Sequence, residues 1–185
     1  MLNPIANLFL ALQAQIAALV DGEGKTYFKY VDQDLGQLEM HNGDNRPPVL
    51  WPCVLIDIED EDYKNIGANA QKGVVIVCLR IGFPPFSASS AGTPTSYVQK
   101  AIYYYDLQQI LHQPLQGVAP SYMQDAVDIL ADVFGKYDRI SAKTEKRNDF
   151  IRVREVKYRL SIDDYSTEQD PTLVPASLDL TTDFE

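Results

Sequence analysis

Four groups of side chains in this sequence could do chemistry. Asp57, Glu59, Asp60, Glu61 and Asp62 cluster closely, and a hard cation such as Ca2+ or Mg2+ wants several oxygens from a short segment. Cys53 and Cys78 offer soft thiolate ligands, and His41 and His112 are the two imidazoles. Lys143, Lys146, Arg147, Arg152, Arg154, Lys157 and Arg159 form a basic stretch able to meet phosphates or carboxylates.

Each group also has a simpler reading. The acidic residues lack the glycine placement and spacing of an EF-hand loop, so a solvated acidic turn accounts for them. If the preceding strand runs on through residues 57 to 59, their side chains alternate between faces. Two thiols do not fill a tetrahedral zinc site, and both sit inside apolar runs, which fits buried, reduced core cysteines. His41 lies in a polar loop and His112 near the end of a helix, where it reads as a surface residue. The sequence contains no GxSxG, no HExxH, no P-loop and no GxGxxG after a strand. The expectation is a non-enzyme with no catalytic, cofactor-binding or metal-binding residue.

The basic stretch is the most suggestive. Readers of single-stranded nucleic acid interleave exposed aromatics with such charges, whereas alternation here assigns Tyr158 to an apolar face. A charged outer strand face protects an edge from aggregation, and it also suits contact with acidic surface, such as Asp60, Glu61 and Asp62 or the acidic tail of a neighbouring copy. Two alternatives stand beside subunit contact: a nucleic-acid-binding module using the basic hairpin 143–159, and a metal-dependent enzyme using the acidic cluster 57–62.

Around these groups, the chain must supply elements to position them. It has 185 residues, 45% of them hydrophobic, which suits one well-packed domain. The formal charge of −10 disfavours duplex DNA as a partner. It is unevenly spread: Lys136 to Arg159 holds nine basic and four acidic residues, and Asp163 to Glu185 holds seven acidic and no basic ones. The apolar runs are too short to cross a bilayer, and the start shows no basic region with a cleavage site, so cytoplasmic synthesis is expected.

Ile5, Leu8, Phe9, Leu12, Ile16 and Leu19 have the spacing of one helix face, with Asn3 as cap and Pro4 in the first turn. Tyr27 to Val31 reads as a short strand paired with Leu35 to Met40. Val49 to Ile58 is strand-like, with Pro52 at an edge, a bulge or the start. Gly73 to Phe83 should be a central strand and an antiparallel neighbour of that run. Ser87 to Ser96 reads as a small-residue loop. Val98, Ile102, Tyr105, Leu107, Ile110 and Leu111 predict a second helix, and Met123, Val127, Leu130 and Phe134 a third between Pro120 and Gly135. Residues from Lys136 to Asp163 read as a long hairpin turning at Lys146 to Asp149, with a β-bulge where the alternation changes parity between Val153 and Val156.

The string Pro47 to Asp57, followed by Tyr63, Asn65, Gly67, Gln71 and Gly73 to Ile81, resembles small prophage-encoded proteins of Bacteroides-type bacteria. The order of helix, strands, helix and charged terminal hairpin is similar, more loosely, to tail terminator or tail completion proteins of long-tailed phages. That resemblance implies an α+β fold with helices on a mainly antiparallel sheet. It also implies a ring of about six subunits on the tail tube, with tail-tube or head–tail connector proteins as partners, and no catalytic residues. The expected layout is a single α+β domain over residues 1–165 with two or three helices, then a flexible acidic tail over 166–185.

Overall fold

The structure is a computed structural model, and it describes residues 3–39, 49–66, 70–83, 89–124, 127–130, 132–147 and 151–164, with the side chains of Asp60 and Gln124 excepted. The tail 166–185, the turn at 148–150, His41 and part of the Ser87–Ser96 loop lie outside the described residues.

Helix α1 spans Pro4–Ala17, and the Asn3 side chain accepts a hydrogen bond from the Ile5 amide at 2.8 Å while Pro4 occupies the first turn. Its inward face is Leu8, Ala11, Leu12 and Ile16, as the spacing predicts. Strand β1 is Tyr30–Gln33, β2 is Cys53–Asn65 and β3 is Gln71–Phe83. Helix α2 spans Thr95–His112, with Tyr104, Leu107 and Leu111 turned inward and Ile102 and Tyr105 exposed. Two-residue strands β4, Met123–Gln124, and β5, Val127–Asp128, form a small ribbon; β6 is Asp138–Thr144 and β7 is Arg152–Asp164. The main sheet has the order β1-β2-β3-β7-β6, so the fold is α+β with β3 in the middle. Every pairing in it is antiparallel except β1 with β2.

Both helices lie on one face of the sheet, over Val54, Ile56, Val75, Val77, Leu79, Ile81, Val156, Tyr158, Leu160 and Ile162. Burying each large aliphatic side chain there contributes roughly 1.5–3 kcal/mol. On the other face, Leu38, Cys53, Leu55 and Val153 form a smaller core at one end only, with Trp51 and Tyr30 against it. Elsewhere on that face Lys72, Val74, Asp62 and Arg159 are exposed, while Cys78 and Glu155 are buried.

Three expectations are corrected. The described part of the expected strand Leu35 to Met40, residues 35–39, is not a strand: residues Gln37–Glu39 form a 3-10 turn, because Gly36 takes φ +76° and the Asp34 carboxylate accepts from the Gly36 amide. Tyr30–Gln33 pairs instead with Cys53–Ile56, in parallel. The third helix is absent from the described part of 120–135. The Asp128 carboxylate accepts from the amides of Tyr122 and Leu130, offering the backbone a turn in place of helical bonds, and Asp132 sits at φ 64°. Only Leu130 and Phe134 of the four spaced residues reach the core; Met123 and Val127 are each 61% exposed. Finally, β7 has no bulge, since its register with β3 is unbroken from Arg152 to Asp164. The parity change arises because the strand is buried on both faces, Val153 in the small core and Val156, Tyr158, Leu160 and Ile162 under the helices. The irregularity in this hairpin falls on β6, between Arg139 and Ser141.

Candidate functional site

The charged residues converge on the helix-free face of the sheet, and the strand register decides which of them meet. Position 80 faces that side from the central strand, beside the small core. Desolvation there opposes the Arg80 charge, but hydrogen bonds to Glu145, Glu39 and Asp34 more than offset it and hold the guanidinium firmly protonated. Arg80 donates to Asp34 at 2.8 Å and to Glu145 at 2.7 and 3.0 Å, and pairs closely with Glu39. Arg147, from the far end of the hairpin, meets Glu39 at 3.0 Å and Glu145 at 3.3 Å, and also donates to the Leu38 carbonyl. The hydrogen bond from Arg80 holds the Glu39 carboxyl below its ordinary range, against a smaller opposing effect of burial. Three carboxylates and two guanidiniums thus tie the segment after β1, the 3-10 turn, β3 and the hairpin together.

Further along the same face, Lys157 contacts Glu59 at 2.5 Å and Glu155 at 3.8 Å, and Lys143 contacts Glu155 at 3.0 Å. The hydrogen bond to Glu59 raises the Lys157 pKa. Arg159 meets Asp138 at 3.2 Å, and Lys72 meets Asp163 at 3.1 Å. Apart from Lys157 with Glu155, which share β7, these are cross-strand pairs bridging the rows of the sheet, and Val74 and Ile76 stand between them, partly open to solvent.

The seven basic candidates therefore do not form one ribbon. Lys143, Lys157 and Arg159 lie in the ion-pair rows, and Arg147 joins the Arg80 cluster. Arg154 projects to the helix side, donating to Gln108 of α2 and to Thr144 at 3.0 Å, with its guanidinium 5.5 Å from the Tyr105 ring centre. Lys146 and Arg152 are exposed near the hairpin end.

The acidic candidates are on a strand rather than a turn. Strand β2 runs through them to Asn65, with an irregularity between Ile58 and Asp60, so they alternate between faces. Glu61 accepts from the Tyr63 hydroxyl at 2.8 Å, Asp62 is exposed opposite Val74, and Asp60 is opposite Ile76 in register. Asp57 lines a groove with Glu61, Gln33 and the start of α1, and burial raises its carboxyl pKa. Glu59 is engaged by Lys157 and His112 lies elsewhere, so the three do not converge. Among the described residues, no three His, Cys, Asp or Glu side chains are placed to hold a metal ion.

His112 is half-buried rather than a surface residue. Its Nδ1 lies 3.1 Å from the Tyr158 hydroxyl, and burial, with Arg139 nearby, lowers its pKa. The pair fastens α2 to β7. Cys53 and Cys78 are both buried and free, and burial pushes the Cys53 thiol up to about 12. They are not opposite one another: Cys53 pairs with Gly82, and Cys78 with Asp57.

The Arg80 cluster is what sequence reasoning missed. Its signal was an arginine inside the apolar run Gly73 to Phe83, since a guanidinium on a central strand needs carboxylates brought from elsewhere.

No family model matches this sequence, and no curated protein does. One solved structure, "Virion of native gene transfer agent (GTA) particle", is similar with a TM-score of 0.44 and 13% identity, over 86% of this chain and 93% of that one. Among the described residues no helix is long and apolar enough to cross a membrane.

Proposed function

We propose that this chain is a non-enzymatic assembly protein of a phage-like particle, acting as a tail terminator or tail completion subunit in a ring on the tail tube. The observation that carries this reading is the sheet face opposite the helices. Its charged groups are spread in cross-strand pairs over an open, wide surface, the arrangement of a contact face rather than of a concave catalytic site. The sequence string that resembles prophage proteins builds β2 and β3, the strands at the heart of that sheet. Lys143, Lys146 and Arg152, with Asp60, Glu61 and Asp62, are the proposed contact residues toward neighbouring copies and tail-tube or connector proteins.

The test is made on particles. In cells that produce them, the chain should co-purify with the particle in fixed ratio to the tail-tube protein, and its loss should leave tails of unregulated length or tails unjoined to heads. Particles that lack the chain, or that form normally without it, overturn the reading. Genes on either side encoding capsid, tail-tube or tape-measure proteins would support it.

A further inference from the structure

Strand β1 covers β2 only along Cys53–Ile56. From Asp57 to Asn65 the outward side of β2 carries no paired strand among the described residues, a free row of amides and carbonyls in the middle of the sheet's flank. That stretch holds Asp57, Glu59, Asp60, Glu61 and Asp62 against one basic residue, Lys64. On the opposite flank, β6 is paired, among the described strands, only with β7. Residues 116–118 bond its beginning, through Gly117 and Val118 to Tyr137 just before the strand and through Gln116 to the Arg139 amide. From Ile140 to Thr144 the outward side is free among the described residues. That stretch carries one charge, Lys143, and the flank around it is net basic: Lys136, Arg139 and Lys146 are exposed, against Asp138, paired with Arg159, and Glu145, paired with Arg80, while Ile140 is 45% exposed at the rim.

We infer that copies of this chain join flank to flank, the β6 edge of one copy adding a strand to the open, acidic stretch of β2 in the next. The inference rests on the assembly reading above and names its contact.

Three observations select this pairing. The charges are complementary between the two flanks, with five carboxylates against Lys64 on β2 and Lys136, Arg139, Lys143 and Lys146 against Asp138 and Glu145 along β6, so β2 against β2 sets mostly acid on acid, which is unfavourable for directly opposed residues. The lengths suit, since the free stretch of β6 fits within that of β2. The directions suit as well: three antiparallel steps separate β2 from β6, so the two strands run oppositely. A neighbour carried around an axis along the strands therefore presents β6 antiparallel to β2, the commoner pairing. Such a contact uses two different patches on each subunit and propagates head to tail into a ring. Main-chain bonds supply affinity, and the charged side chains select the partner edge.

The test uses two full-length variants, Asp62→Cys and Ser141→Cys. Both positions are exposed on the helix-free face, whereas the native Cys53 and Cys78 are buried. Mixed under mild oxidation, they should give the mixed disulfide in several-fold excess over either self-linked product. In parallel, the double reversal Glu61→Lys with Asp62→Lys should weaken association at least ~tenfold, and adding Arg139→Glu with Lys143→Glu to the same chain should restore self-association. Absence of the mixed disulfide, self-linked products in equal yield, or indifference to the reversals overturns the inference. The two proposals fail separately. A chain found in particles that gives no mixed disulfide keeps the assembly reading and loses this contact. A mixed disulfide from a chain absent from particles does the opposite.

Discussion

Replacing Arg80 by methionine removes the cation at the centre of the cluster while keeping most of the side chain's volume. The Arg80, Asp34 and Glu145 side chains are 14%, 10% and 20% exposed, and Glu39 is 49% exposed. Asp34 and Glu145 each lose charge-assisted donors in a poorly solvated place, about 1–2 kcal/mol apiece. Glu39 is open to water and keeps Arg147, so its loss is below ~0.5 kcal/mol after screening. The sum is about 3 kcal/mol, or a fall in Tm of roughly 6–12 °C for a chain of this size. Urea unfolding followed by the fluorescence of Trp51, the one tryptophan, reads it. The Glu39 share carries a pH dependence. Because the folded pKa of Glu39 is lowered, its contribution is present above the ordinary carboxylate pKa and is lost as pH falls through the lowered value. That share of the gap between parent and Arg80→Met, below ~0.5 kcal/mol, should thus fade as pH drops below about 4.5. A variant within ~0.5 kcal/mol of the parent at neutral pH would refute the electrostatic account.

Two further substitutions test the packing. At Gly82, an added Cβ would stand 2.5 Å from the Cys53 Sγ and 2.6 Å from the Trp51 ring, so Gly82→Ala should destabilise by about 1–3 kcal/mol in the same unfolding assay. The Tyr137 hydroxyl is buried with no hydrogen-bond partner among the described residues, so Tyr137→Phe should leave stability unchanged or raise it by up to ~1 kcal/mol, measured as Tm by calorimetry.

What could be read from the sequence follows from which physical signals are local. Helix α1 announces itself because its cap, its proline and its apolar stripe all lie within one segment. The pairing of β2 with β3 is legible for a similar reason, as two β-branched runs joined by a short connection. Met123, Val127, Leu130 and Phe134 misled because apolar spacing alone cannot separate a helix from turns when a side chain such as Asp128 competes for the amides. The parity of β7 mimics a bulge in the sequence because the small core over Val153 is assembled from Leu38, Cys53 and Leu55, which are distant in sequence. The same non-locality hid the charged face. Lys157 finds Glu59, and Arg80 finds Asp34, Glu39 and Glu145, only after β3 and β7 lie side by side.

That last pairing has a consequence for synthesis. Strand β3 leaves the ribosome with its hairpin partner β2, but Phe83 waits for Arg152, about 70 residues further along, before its second flank is covered. Until then Val75, Val77, Leu79 and Ile81 belong to an unpaired edge, the kind of surface on which nascent chains aggregate. Strand β7 arrives with Arg152, Arg154, Lys157 and Arg159 interleaved among its apolar residues, charges that discourage it from pairing with copies of itself. The early half of the sheet is left exposed, and the strand that closes it is charged against its own kind.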